Sequence, residues 1–177
     1  MTPSLANELE LLAQALDNDA SQAAEFSVAH LAERIGRYLG VKTSEVAILG
    51  LSNRWRHLHF LVPEALKNVG YIPLSSTSAL AARTARESRP EIVNNFAAIR
   101  HASVFESVKT NPEGSDVIQK IISAPVLVGD KVVGVIQISR KSETLAGSGP
   151  DFTHDDLGRV LALCGPLGKL IQRLNPE

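Results

Sequence analysis

Two β-rich runs, Lys120 to Val128 and Lys131 to Lys141, are joined by Gly129-Asp130, a pair that favours a two-residue hairpin loop. This hairpin is the clearest local signal in the 177 residues, and the rest of the chain is read around it. Before it, Leu5, Leu9, Leu12 and Leu16 fall at i, i+4, i+7 and i+11, one apolar stripe on a helix of about four turns. Thr2 as N-cap and Pro3 at the first helical position open that helix, and Asp17-Asn18-Asp19 breaks it. A second helix is expected from Ala20 to Leu39, with Ala24, Val28, Leu31, Ile35 and Leu39 as its stripe and Gly40 as its stop.

The periodicity then changes. Glu45 to Leu51 and His57 to Val62 read as strands around a Ser52-Asn53-Arg54 turn, and Gly70 to Leu74 as a short third strand. Ser75 to Ser78 offer N-caps for a helix from Ala79 to Ser88, which Pro90 ends, and Glu91 to Val93 is a brief strand. Asn94 to Ser115 is irregular, with a helical stretch near Ala97 to Val108 and a turn at Asn111 to Gly114. After the hairpin and the Ala146 to Pro150 loop, Thr153 and Asp156 form a variant capping box for the last helix. Leu157, Val160, Leu161, Cys164, Leu167 and Ile171 make its stripe, and Pro166 is expected to kink it at a cost of about 3 kcal/mol. The order is α+β with a mostly antiparallel sheet. Helices from both chain ends cover one face, and the excursion from Ser75 to Ser115 covers the other.

These motifs resemble a GAF domain, the small-molecule sensor module. The likeness lies in the helix Phe26 to Leu39 leading into Glu45-Val46-Ala47-Ile48, and in Ile72-Pro73-Leu74 followed by Ser78-Ala79-Leu80-Ala81. It continues through Arg86 to Asn94, the hairpin from Ala124-Pro125-Val126 to Ile138, and Phe152-Thr153 to Leu157. The resemblance runs from about Ala20 to Leu174. It implies a six-stranded antiparallel sheet, with terminal helices on one face that often dimerise. On the other face, a central helix and loops roof a pocket (GAF/PAS-like). Residues 1–19 are then expected to be a dimerisation helix, and residues 20–177 the GAF-like domain.

Departures from the resembled family narrow its branches. The Asn-Lys-Phe-Asp-Glu motif of the cyclic-nucleotide-binding phosphodiesterase type is absent, and Asn94 stands where the family often has Asp. The chain has one cysteine, Cys164, on the last helix. That position argues against bilin attachment, and the count argues against the several-cysteine chemistry of free methionine sulfoxide reduction. Cys164 is read as buried and structural, with an intermolecular disulfide as the alternative.

Composition excludes broad classes of partner. With 18 Lys+Arg against 19 Asp+Glu and 5% aromatic residues, there is no general attraction for nucleic acid or anionic lipid and no base-stacking platform. No apolar run approaches the ~20 residues of a membrane span, and Met1 to Glu10 lacks a signal-peptide pattern, so the expected location is cytoplasmic.

Candidate ligand contacts are His57, His59, Ser76, Thr77, Asn94, Arg100, His101 and Gln137. His57 and His59 alternate to one side of their strand and face a pocket or solvent; at i and i+2 they are also spaced to chelate a metal. Ser76 and Thr77 sit at a helix start, where free N–H groups suit an anion, though plain capping explains them too. Arg83 and Arg86 on that helix are read as solvated. Asn94, Arg100 and His101 lie in the irregular segment, where binding residues concentrate. Gln137 breaks an apolar strand and needs a partner.

No catalytic or metal-binding constellation is legible, so the chain is expected not to be an enzyme, and no cofactor is assigned. The expected role is a sensor that binds an unidentified small molecule and signals through a homodimer of the N- and C-terminal helices. The output is expected in a separate protein or in a longer chain of which this is part. A ligand-free interaction module is the alternative.

Overall fold

The computed structural model describes residues 4–18, 28–63, 66–68, 70–98 and 117–174. The Thr2-Pro3 cap, the start of the second helix with Ala24, the stretch to Val108 beyond Ala98, the Asn111 to Gly114 turn, and Arg100 and His101 lie outside the described residues.

Six strands form the sheet: β1 (Val46–Ser52), β2 (His57–Val62), β3 (Ile72–Pro73), β4 (Glu91–Val93), β5 (Val117–Val128) and β6 (Lys131–Ser142). Their order is β3-β2-β1-β6-β5-β4, and every pairing is antiparallel. The Gly129-Asp130 hairpin closes as its sequence requires. Val128 pairs with Lys131, and Gly129 adopts φ 62°, the left-handed region that glycine enters at little cost. β5 begins earlier than its β-rich run, at Val117, because Val117 and Ile118 pair with Ser142 and Lys141.

Helices α1 (Leu5–Asn18), α2 (Val28–Leu39) and α4 (His154–Leu174) pack on one face of this sheet. Leu5, Leu9, Leu31, Ile35, Leu163, Leu167 and Leu170 share that core with Ile48, Ile122, Ile136 and Ile138. Helix α3 (Leu80–Glu87) covers the other face, where Ala81, Ala82 and Ala85 pack with Leu49, Leu58, Phe60 and Val135. The terminal-helix layer and the central helix therefore stand on the faces expected from element order.

Leu5 and Leu9 are buried within the chain's own core, so α1 does not wait for a partner to cover them. Salt bridges from Glu8 to Arg34 and from Glu10 to Lys169 fix α1 on α2 and α4. On α4, Leu163 and Leu170 are buried, whereas Leu161 is 41% exposed. The helix runs without a break past Pro166, and Val160, Cys164, Leu167 and Ile171 of the expected stripe are buried, so Leu161 is the member that falls outside it. The capping box forms as read. Thr153 N–H donates to Asp156 Oδ2 at 2.8 Å, and Asp156 N–H donates to Thr153 Oγ1 at 3.2 Å.

Candidate functional site

Paired residues on neighbouring antiparallel strands share a face, so the register assigns every side chain. Gln137 pairs with Ala47 and Ser123, and Leu49 pairs with Val135 and Phe60. Gln137 therefore lies on the α3 face. His57 pairs with Ser52 and His59 with Gly50, which puts both on the opposite face. The alternation in β2 is as read, but the histidines do not join Gln137. Both sheet faces are covered by helices, and the apolar set Leu58 and Phe60 goes under α3.

Gln137 is buried and anchors a polar chain through three elements. Its Nε2 donates to Ser123 Oγ at 3.2 Å, and Ser123 Oγ lies 2.7 Å from Thr84 Oγ1. Thr84 Oγ1 donates in turn to the Leu80 carbonyl at 2.9 Å. Ser123 of β5 and Thr84 of α3 are fully buried, on the face where α3 is otherwise seated on alanines. Ser123 was open to the same argument as Gln137, a polar residue in a central strand. Thr84 was not, because a threonine in a helix is ordinarily at the surface.

The other candidates are occupied locally. Ser76 Oγ accepts from the Ala79 N–H at 3.1 Å, which is the capping explanation, and Thr77 is exposed. Arg86 Nη1 donates to the carbonyls of Leu74 and Ser76, and Arg83 grips Glu91 with two bonds of 3.0 and 2.8 Å. The arginines read as solvated are thus tethers of α3. Asn94 clasps the segment before α4: its Oδ1 accepts from Phe152 N–H at 2.8 Å, and its Nδ2 donates to Phe152 O at 3.1 Å. It joins two parts of the chain rather than turning toward Gln137.

His57 stacks on Tyr71 with ring centroids 4.1 Å apart, and His59 meets His57 edge-on at 6.2 Å. Among the described residues, no group of three or more His, Cys, Asp or Glu could hold a metal ion. On the terminal-helix face near the start of α4, the buried Lys120 reaches the Gly149 carbonyl at 2.5 Å and Asp151 at 2.9 Å. Its strand neighbour Arg140 lies over the Phe152 ring at 4.6 Å. Burial pushes the Cys164 thiol up to about 12, so it stays a thiol at neutral pH.

A curled antiparallel sheet with terminal helices on one face and a short roof helix on the other defines a class of small α+β sensor and regulatory domains. The chain belongs to the GAF domain family, whose model matches residues 10–172. Among curated proteins none matches in sequence. The GAF domain of an Acinetobacter phosphoenolpyruvate-protein phosphotransferase is similar over 100% of this chain and 99% of its own, with TM-score 0.63 and 16% identity. A methyl-accepting chemotaxis protein fragment is similar over 82% of this chain and 88% of its own, with TM-score 0.58 and 14% identity. At such identities the likeness is one of fold.

One further neighbour overturns an expectation. A free methionine-R-sulfoxide reductase from Neisseria meningitidis, in complex with its substrate, is similar over 96% of this chain and 87% of its own. Its TM-score is 0.61 and its identity 16%. The reading that this chain is not an enzyme is therefore corrected: the fold hosts catalysts. Elimination by linear motif had no power here, because a fold carries sites assembled from distant residues. Among the described residues, no helix is long and apolar enough to cross a membrane.

Proposed function

We propose that this chain is a sensor or regulatory module, binding a small molecule on the α3 face of its sheet and signalling through α1 and α4 to a second copy. The observation that carries the reading is the buried chain Gln137–Ser123–Thr84. Polar groups in such a core cost free energy unless matched, and a matched set is sensitive to any new partner. β6 connects the two faces. Gln137 lies under α3, while Ile136 and Ile138, its neighbours in sequence, pack with α4. Leu161 on α4 and Leu11 on α1 are 41% and 61% exposed, the apolar surface that a second copy would cover.

A thermal-shift screen of nucleotides, 2-oxo acids, haem and aromatic compounds tests the first half. At a hundredfold excess over Kd a ligand contributes about 2.7 kcal/mol, which for a domain of this size raises Tm by roughly 5–10 °C. Gln137→Leu is expected to abolish that shift. A shift that survives Gln137→Leu, or none from any class, overturns the α3-face site. The second result favours a ligand-free interaction module, whose support is that Leu80, Ala81, Ala82 and Ala85 of α3 are themselves buried.

Association through the helices has its own test. Leu161→Glu is expected to shift sedimentation at micromolar concentration from dimer to monomer without lowering Tm, since the side chain faces water in the single chain. A wild-type monomer under these conditions removes this half of the reading.

A further inference from the structure

Lys120 and Arg140 face each other across β5 and β6. A bulge sets this register: Ile118 pairs with Lys141 and Lys120 with Arg140, two residues on β5 against one on β6. From there inward the same face continues through Ile122 and Ile138, which pair and belong to the core under the terminal helices. The two cations thus stand side by side at the edge of an aliphatic layer. Like charges directly opposed across an antiparallel pair are destabilising, whereas an acid opposite a base would add stability.

Both side chains reach the same short segment, Gly149 to Phe152. Lys120 is 5% exposed; its Nζ donates to the Gly149 carbonyl at 2.5 Å and meets Asp151 Oδ1 at 2.9 Å. The Arg140 guanidinium lies 4.6 Å from the centroid of the buried Phe152 ring, and a Cβ built on Gly149 would stand 3.8 Å from Arg140 Cδ. Asn94 pins the segment through its two bonds to the Phe152 backbone. The charges here do not balance. Asp151 serves Lys120 with a side chain that is itself 70% exposed. Asp156 is committed to the helix cap through Thr153, and Asp155 is exposed on the first turn of α4. Arg140 has no ion pair among the described residues, and its Nε is the one buried side-chain nitrogen or oxygen among them without a hydrogen-bond partner. A buried polar atom left in this state calls for an explanation.

We propose that Lys120 and Arg140 form a binding site for a small oxyanion, the carboxylate or phosphoryl group of a small molecule, beside the start of α4. Arg140 is half-buried and only its Nε is sealed off, so the two Nη groups present a fork to an incoming ligand. Such a fork matches two oxygens of a carboxylate or phosphate with paired hydrogen bonds, and the Phe152 ring behind it fixes its plane. Lys120 supplies the second charge by exchanging Asp151 for the ligand; an exposed carboxylate loses little in returning to water. Next to an aliphatic core the two cations attract an anion more strongly than the same pair would in bulk water. The site lies on the opposite sheet face from Gln137, and it stands or falls independently of the α3-face reading.

The test is an NMR titration of the full chain with sodium phosphate and, separately, sodium acetate, with ionic strength held constant by chloride. Saturable amide shifts are expected at Lys120, Arg140, Gly149 and Asp151. A response to phosphate alone assigns the site to phosphoryl groups, and one to acetate alone assigns it to carboxylates. Arg140→Gln is expected to weaken binding by about tenfold or more, and Arg140→Lys, which keeps the charge without the fork, to recover part of that loss. Asp151→Asn removes the competitor for Lys120 and is expected to tighten binding by roughly two- to fivefold. Lys131→Gln, which removes an exposed cation at the β5–β6 turn, leaves affinity unchanged. The proposal is overturned if neither anion shifts these amides, or if Arg140→Gln binds as well as wild type. It is equally overturned if Asp151→Asn weakens binding, since the cluster is then an internal clasp. Should Arg140→Gln fail to fold, Asp151→Asn, a change at an exposed side chain, decides alone.

Discussion

Gly134→Ala is expected to destabilise the fold by about 3 kcal/mol or more, read as a lower urea midpoint, and Gly134→Val to leave little folded protein. Gly134 sits in β6 opposite Gly50 of β1 and Val126 of β5. A Cβ built there would stand 2.3 Å from the Leu49 carbonyl oxygen and 3.0 Å from Ile171 Cδ1. The second atom is the tip of a side chain and can rotate. The first is backbone of a paired strand, so β1 and β6 must part, and their pairing lies at the centre of the sheet. Gly158 supplies the contrast. A Cβ at this exposed position of α4 meets nothing within 4 Å, so Gly158→Ala is expected to stabilise by up to about 1 kcal/mol. Equal effects at the two glycines would mean that the close approach of β1 to β6 is not what Gly134 serves.

The same contrast shows what the sequence makes legible. Gly129 announces itself, because a turn dipeptide between two β-rich runs is a local pattern. Gly134 does not, since its reason is the Leu49 carbonyl on a strand more than eighty residues earlier. The element order, β2 and β4 to the residue, and the Thr153 capping box all rest on neighbours within a few positions. The candidate site follows the opposite rule. That Gln137 needs a partner is legible from its apolar strand, but the partners come from β5 and α3. Asn94 has its partner 58 residues away, and no spacing rule connects it to Phe152. The histidines of β2 show a third kind of limit. Period-2 alternation divides a strand into two sets without saying which face each set joins, and here both faces are roofed.

Glu45→Ala is expected to cost roughly 3–5 kcal/mol, as large an effect as the loss of a core leucine. Glu45 ends the short helical turn Thr43–Glu45 that feeds β1, and it is buried despite its charge. Its Oε1 accepts from the Lys42 N–H at 2.8 Å and its Oε2 from the Lys141 N–H at 2.6 Å. One carboxylate thus closes its own turn and ties that turn to the end of β6, 96 residues on. Ser139 Oγ adds a bond to the Glu45 carbonyl at 3.4 Å, and Lys141 Nζ one to the Ser44 carbonyl at 3.0 Å. Alanine removes both acceptors and strands two backbone donors at a site water enters poorly, which is the expensive way to lose a hydrogen bond. Glu45→Gln separates shape from charge. It keeps the volume but sets an NH₂ against one of the two N–H donors, so it is expected to recover less than half of the loss. Urea denaturation of both variants, with amide exchange at Lys141 as the local readout, decides the matter. A glutamine variant as stable as wild type, with Lys141 still protected, would show that one acceptor suffices and that the bridge to β6 adds little.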